Sequence, residues 1–379
     1  MRNAFYEDIK YIYEKLLLHP LFIIDATKKT EFETLFNSLS LLVISYDDFV
    51  ALINRLTGFF CDGHTNMEIP YSRRDRTLNI PCYWSNGKLF LKSDYMGVCK
   101  DSEIIGIEDK TIDEIVSLME NNIPHENIFL VKSRMINYPY KNYHMFSEES
   151  LKFLFGAKDE YRLKFIFDGA HTEKILKLEP YNGYLDFTDD DFIYYEIIGD
   201  TAVLHLDSCI CDELYIRVLG ELVDQCHNSK VKTLVLDLSK NMGGSSAVID
   251  EFIKHTNVEE YRRYEMIDYS SGKAEYITQR EEIVRNNPYS KCLDLEIHCR
   301  VSHDTFSSAR TFAVTLKDNG IAKSIIGTPT GGKPSSFGMP QRFKTPNLLI
   351  PFRVSRCLFL RPNKAEDNAV ALFPDKACV

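Results

Sequence analysis

From Phe192 onward, short apolar runs alternate with amphipathic helical segments, and no other feature narrows the possible folds as far. The runs Ile193 to Ile197, Ala202 to Leu206, Thr233 to Asp237 and Leu295 to Val301 have the length and side-chain type of strands. Between and after them, Asp212 to Cys226, Ser246 to Lys254 and Ser307 to about Asp318 repeat their apolar residues at helical spacing, the last closed by Gly320 as a C-terminal stop. Strands and helices in alternation predict an α/β architecture, expected over residues 191–379.

The amino-terminal half reads differently. Ile9, Ile12, Tyr13, Leu16 and Leu17, then Phe32, Leu35, Phe36 and Leu39, then Phe49, Leu52, Ile53 and Leu56 mark three amphipathic helices. His19-Pro20 breaks the first, and Ser45-Tyr46-Asp47-Asp48 offers an N-cap for the last, giving a helical domain over 1–68. Residues 69–134 turn to short strands, Leu78 to Tyr83, Lys88 to Lys92 across Asn86-Gly87, and Glu103 to Ile107, followed by a helix from Thr111 to Glu120. The phrase SEIIGIEDKTIDEIVSLM resembles the strand, turn and helix of a degenerate PDZ module, with Asp109-Lys110 where such domains carry Asn-Gly; a plain hairpin and helix fits it as well. Residues 135–190, with Tyr138, Tyr140, Tyr143, Tyr161 and Tyr181, read as connecting strands and loops.

Composition excludes several classes. The chain has 379 residues, 44% hydrophobic and 26% charged, so disorder and fibre are ruled out. Forty-five Lys and Arg against fifty-five Asp and Glu leave a net charge of −10, without the basic footprint that nucleic acid or an anionic membrane requires. The ten cysteines contain no CxxC pair, so no metal site is expected, and no cofactor motif is present: neither a Walker loop nor GxGxxG occurs. No apolar stretch approaches the ~20 residues that cross a bilayer, and the first residues lack the form of a signal peptide. A cytoplasmic chain is expected, its cysteines acting as buried small hydrophobes with free thiols; a trimmed leader would leave the same sequence. Nothing in the sequence sets an oligomeric state.

Four stretches carry groups suited to chemistry. In DLSKNMGGSS, Asp237 to Ser246, a strand runs into a turn where Gly243 and Gly244 permit close approach of backbone N–H groups to an oxyanion or phosphate; a turn that needs positive φ would select the same residues. In VSHDTFSSARTFAVTLKDNG, Val301 to Gly320, Ser307 and Ser308 open a helix whose buried stripe is Ala309, Phe312, Ala313 and Leu316. A serine there stands at the positive end of the helix dipole, as a nucleophile that makes an oxyanion should, yet serine is also a leading N-cap residue. GFFCDGHTNM places His64 in a polar turn, as a base or as a hydrogen-bonded loop residue, and His303 is an alternative base. SIIGTPTGGKPSSFG puts Lys333 in a glycine-rich turn after a strand, as a base or as a solvated lysine.

Together, DGHT, LDLSKNMGG, TFSSA before a helix ending LKDNGIA, IIGTPTGGKP and LFPD resemble, in order and spacing, the C-terminal-processing and tricorn-like serine peptidases. That family also contains the interphotoreceptor retinoid-binding protein repeats. The resemblance covers nearly the whole chain and implies a helical amino-terminal part, a diminished PDZ-like middle and a ClpP/crotonase-like ββα catalytic domain. It implies Ser307 as nucleophile, with backbone N–H groups of Ser308 and of Gly243 or Gly244 as the oxyanion hole. For the base it offers His64, matching the tricorn-like branch, or Lys333, matching the lysine branch. His64 is favoured, because a lysine must first be held neutral. Asp367, or Glu366 beside it, falls where the orienting acid is expected. The substrate implied is a peptide or unfolded protein, its C-terminal region included.

Three positions depart from the family phrases: Ser239 replaces an arginine, Arg310 a glutamate and Thr328 a glutamate. The last loss counts against Lys333. Two other readings stay open, a catalytically reduced peptide- or lipid-binding protein on the same fold, and a crotonase-like acyl-transfer enzyme or esterase.

Overall fold

The computed structural model describes residues 2–39, 45–137, 140–182 and 192–377, which fall into two compact units. The first holds residues 1–185 and 341–354, the second 186–340 and 355–379. Tyr138 and residues 183–191 lie outside the described residues.

In the first unit the helices Arg2–Leu16, Thr27–Leu39 and Tyr46–Gly58 follow the three predicted amphipathic patterns, with a short Leu21–Ile24 helix after His19-Pro20. Ser45 caps the third through a full capping box with Asp48. Their apolar faces enclose Ile12, Leu16, Phe32, Phe49, Ile53 and Leu56, and Phe352 and Val354 of the strand Pro351–Val354 join the same core. That strand pairs with Asn66–Met67, directly after DGHT. A second core of this unit lies on an antiparallel sheet ordered Cys82–Ser85, Lys88–Leu91, Glu103–Ile107, Glu160–Phe167 and Ala170–Lys177, covered by the helix Ile112–Glu120. Thr111 caps that helix, again with a capping box, to Glu114.

The described part of 135–182 contains regular elements. Helix Ile128–Asn137 runs into them, Glu148–Phe155 forms a further helix, and the long hairpin 160–177 completes the sheet. The alternation of Tyr161, Leu163 and Phe165, all buried, is the period-2 signal hidden among charges on the other face.

The second unit is built on a six-stranded sheet ordered Ile193–Ile198, Thr201–Leu206, Thr233–Asp237, Glu296–Val301, Ser324–Gly327 and Lys376–Ala377. The first pair is antiparallel and every later pairing parallel. Thr233–Asp237 is central and reads as an almost unbroken apolar run, as a strand covered on both faces must. Helices Glu213–Asn228, Ala247–Lys254 and Ser308–Asp318 supply the cover, and Phe312 meets Phe252 edge-on at 5.3 Å in the core between them. The mixed α/β class expected from the alternation is the one observed. A separate antiparallel sheet of Glu275–Thr278, Glu265–Asp268, Cys357–Leu360 and Ser336–Gly338 extends this unit.

The nine described cysteines are all unpaired thiols, but not all are buried: Cys61 and Cys99 are exposed. Burial pushes the thiols of Cys82, Cys209 and Cys357 up to about 12, which makes them inert as nucleophiles. Among the described residues no helix is long and apolar enough to cross a membrane.

Candidate active site

Three parallel strands of the second unit end side by side, at Asp237, Val301 and Gly327, and the three suspected loops leave from those carboxyl ends. Such edges are where open α/β sheets bind their ligands. The loop after Val301 is laced to the turn after Asp237. Thr305 Oγ1 donates to the Leu238 carbonyl at 2.8 Å, Phe306 N–H to the Asn241 carbonyl at 3.1 Å, and the Ser302 hydroxyl to the Ser239 carbonyl. Asp237 itself binds Arg300 at 2.8 Å and the Ser239 N–H at 3.0 Å. Burial works to raise the Asp237 carboxyl, but these partners hold it below the usual carboxylate range.

The chain then turns sharply at Ser307, whose φ is 53° and ψ −126°, before the helix Ser308–Asp318 begins. A non-glycine residue with positive φ outside the helical basin is strained, and the surrounding lacing holds it there. Ser307 occupies the N-cap position, yet its side chain makes no capping hydrogen bond. Ser45, Thr111, Ser147 and Asp212 all accept one from the third residue of their helices. Stable capping is therefore not what places a serine at 307.

The two glycines are needed for closeness as well as for φ, which is 107° at Gly243 and 138° at Gly244. A Cβ on Gly244 would stand 2.4 Å from the Cys209 carbonyl oxygen, so no side chain fits. The Gly243 N–H is occupied by Asn241 Oδ1 at 2.8 Å. Gly243 C=O and Ser245 N–H bond the Cys209 backbone on one side of this short extended stretch, and the Gly244 carbonyl accepts the Ser308 hydroxyl at 2.8 Å on the other. The Ser308 N–H, at the first turn of its helix, has no intrahelical acceptor.

Lys333 lies in the loop after Gly327 and is partly exposed. Asp367, in this same unit, accepts from Arg280 at 2.7 Å and from the Ser335 hydroxyl at 3.2 Å. Arg310 is buried, donates to Ser336 Oγ at 2.8 Å and lies over the Phe306 ring at 5.8 Å, which ties the first turn of the helix to the strand Ser336–Gly338.

His64 belongs to the first unit. After the helix Tyr46–Gly58 the chain passes through Cys61, φ 46°, into the DGHT turn. Asp62 organises that turn: Oδ1 accepts the His64 N–H at 2.9 Å, and Oδ2 accepts the Thr65 hydroxyl at 2.6 Å and His19 Nε2 at 3.1 Å. His19 Nδ1 accepts the Leu21 N–H, which places the His19 proton on Nε2, facing Asp62. Burial alone would raise the Asp62 carboxyl, but the hydrogen bonds from His19 and His64 draw it well below the ordinary range. On the far side, Arg134 donates to the Gly63 carbonyl at 2.6 Å and Asn66 Nδ2 to the same oxygen at 2.8 Å, while Gly63 N–H points to Glu126 Oε1 at 3.4 Å. His64 is 8% exposed, too buried for a surface loop histidine. Its Nδ1 is 3.7 Å from Asp62 Oδ1 and 3.8 Å from Glu126 Oε1.

Asp62, His64 and Glu126 offer one ligand atom each within 4.8 Å of one another, the only such group among the described residues. Both Asp62 oxygens are already hydrogen-bonded, so the trio is built as a histidine with two carboxylate neighbours before it is a metal cradle. Asn241, Glu126 and Arg134 are missing from the candidates found by sequence. Asn241 stands inside the DLSKNMGG phrase, where a polar residue two before a glycine is a sign of a side-chain-closed turn. Glu126 and Arg134 lie sixty-two and seventy residues from His64, and no local pattern distinguishes them from surface charges.

Residues 200–360 match the model of peptidase family S41. Solved structures align over 99% of the chain: mature CPAF at 14% identity, over 93% of its length with a TM-score of 0.66, and a CPAF mutant at 12%, over 93% with a TM-score of 0.69. A protein from Parabacteroides merdae ATCC 43184 aligns at 13% identity over 90% of its length, with a TM-score of 0.53. At these identities the structures speak for the fold. No curated protein matches the chain in sequence.

Proposed function

Residues 200–360 of this chain match peptidase family S41, and from that premise we propose that it is a serine peptidase of the C-terminal-processing and tricorn-like kind that hydrolyses peptide bonds through an acyl-enzyme on Ser307. One observation carries the proposal: Ser307 is held at a strained positive φ at a helix N-terminus without capping the helix. Strain that serves no capping bond is consistent with a hydroxyl aimed at a substrate.

In the reaction so assigned, Ser307 Oγ attacks the scissile carbonyl while its proton passes to the base. The oxyanion is received by the N–H groups of Ser308 and Gly244, each worth on the order of 3 kcal/mol in the transition state. Gly243 serves by its closeness, its own N–H being engaged by Asn241. Collapse of the intermediate expels the amine, which takes the proton back, and water then repeats the sequence to free Ser307.

His64 is the assigned base. Two buried carboxylates within 4 Å of Nδ1 suit a ring that becomes imidazolium during the reaction. Lys333 is the alternative, and the replacement of the family glutamate by Thr328 removes a group that would orient it. The substrate class is a peptide or unfolded protein, including protein C-terminal regions.

A fluorophosphonate probe tests the assignment. It should label the wild-type chain and leave Ser307→Ala unlabelled. Labelling that survives in the variant removes Ser307 from its role. Peptide binding without cleavage by an unlabelled wild type would favour the catalytically reduced reading, and turnover of acyl esters without peptides the crotonase-like one.

A further inference from the structure

Ser308 opens the helix Ser308–Asp318, yet its hydroxyl is spent outside that helix, on the Gly244 carbonyl at 2.8 Å and sixty-four residues back along the chain. We infer that Ser308 is a positioning residue: its hydroxyl fixes the spacing of the two N–H groups, its own and that of Gly244, that receive the oxyanion. This role rests on the serine peptidase reading and deepens it.

The glycine turn needs holding. Gly243 and Gly244 sit at φ 107° and 138°, and glycine reaches other conformations at little steric cost. The polar groups of the turn are pinned one by one. Asn241 Oδ1 accepts the Gly243 N–H at 2.8 Å. The Gly243 carbonyl accepts the Cys209 N–H at 3.0 Å, and the Ser245 N–H donates to the Cys209 carbonyl at 2.7 Å. These last two bonds form a parallel bridge between Gly244 and Cys209, and they use neither the N–H nor the C=O of Gly244 itself. Ser308 takes that C=O. The Gly244 N–H is left without a hydrogen bond among the described residues.

Asn241 and Cys209 hold the turn from the segments that follow the strands Thr233–Asp237 and Thr201–Leu206. Among the described residues, the Ser308 hydroxyl makes the one hydrogen bond between the glycine pair and the helix that begins at Ser308. That helix carries the second donor, since the Ser308 N–H has no intrahelical acceptor. The N–H and C=O of Gly244 share one Cα, so a bond that ties the carbonyl to residue 308 limits how far the two donors can part. Ser308 is partly exposed, and water competes for both partners of its bond, which therefore adds little to overall stability. Its effect is geometric. Oxyanion donors act only at about 2.7–3.1 Å from the oxygen that becomes charged, and a misplacement near 1 Å costs about 100-fold in rate.

The test compares the full-length wild type with Ser308→Ala, Ser308→Thr and Ser308→Cys on a small ester and on the matching thionoester, whose carbonyl sulfur accepts hydrogen bonds weakly and gains less from the two donors. In Ser308→Ala, kcat on the ester should fall about 10- to 100-fold with KM and melting temperature little changed, and the ratio of ester to thionoester turnover should fall about tenfold. A loss of folded protein slows both substrates alike and leaves that ratio where it was. Ser308→Thr keeps the hydroxyl and should keep the wild-type ratio. Ser308→Cys, a weak donor of similar size, should lie between, and it stands in for the alanine variant if that one does not fold. An unchanged ratio in Ser308→Ala, or in Ser308→Cys in its place, overturns the inference while an active wild type leaves the peptidase reading standing. A wild type that turns over neither substrate and takes no fluorophosphonate removes the peptidase reading, and the positioning role with it.

Discussion

A Cβ placed on Gly243 would stand 2.6 Å from the Cβ of Ser307 and 3.0 Å from the Ser308 nitrogen. The glycine turn and the serine turn are thus one object: the strained serine fits only because nothing projects from residue 243. Gly243→Ala must either displace Ser307 or relax its own backbone from φ 107°. A displacement near 1 Å costs about 100-fold in rate, so fluorophosphonate labelling should slow by at least that factor. An alanine variant labelled at the wild-type rate would mean that the two turns are independent.

Asn241 closes the same turn from within. Its Oδ1 accepts the Gly243 N–H at 2.8 Å, its Nδ2 donates to the Leu206 carbonyl at 2.8 Å, and its own carbonyl accepts the Phe306 N–H. The side chain is fully buried. Asn241→Ala leaves two backbone groups without partners and should destabilise the chain by about 2–4 kcal/mol, with labelling reduced as the turn loosens. Asn241→Asp retains the acceptor but sets a carboxylate against the Leu206 carbonyl, so it should not rescue. Denaturant melts of the two variants check this, and an aspartate of wild-type stability would contradict it.

The choice of base separates on a small ester substrate. His64→Ala should lose acylation by about 100-fold or more, and Lys333→Ala should be milder, since a lysine base requires a neutral amine. Loss confined to the lysine variant would transfer the chain to the lysine branch. Circular dichroism of both variants guards against reading an unfolded chain as an inactive one.

These parts differ in how far local pattern reveals them, for physical reasons. The strand Thr233–Asp237 and the buried stripe Ala309, Phe312, Ala313 and Leu316 are periodic, and periodicity is a local property. Ser45 and Thr111 announce their helices because a cap and its partner lie three residues apart. Tyr161 to Phe167 reads as a connection because charges alternate with its apolar residues, and of its two sheet neighbours, Ala170–Lys177 and Glu103–Ile107, the second is more than fifty residues away. The strand Pro351–Val354 joins the core of the amino-terminal helices through Phe352, and nothing near it in sequence says so. At the site, Gly243, Gly244 and the serine pair stand in short phrases whose spacing is legible. Glu126 and Arg134 both reach Gly63, sixty-three and seventy-one residues distant, and a charged residue carries no local mark of being buried.

Asp62 allows a prediction in which pH gives the sign. Its carboxyl lies well below the ordinary range when folded, so it contributes stability above the unfolded value near ~4 and loses that contribution as pH falls through the lower folded value. In Asp62→Asn the amide can still accept the His64 N–H, but its nitrogen then faces the Thr65 hydroxyl and the His19 Nε2 proton. His19 cannot answer by moving its proton, because Nδ1 is engaged by the Leu21 N–H. At pH 7 the variant should be less stable by about 2–3 kcal/mol, the worth of hydrogen bonds to a buried charge. The gap between wild type and variant should stay constant from pH 7 down to about 4 and close only below it. Chemical denaturation across that range measures it. A gap that narrows between pH 7 and 5 would mean that histidine titration governs the loop, with the Asp62 carboxylate playing no part in its stability.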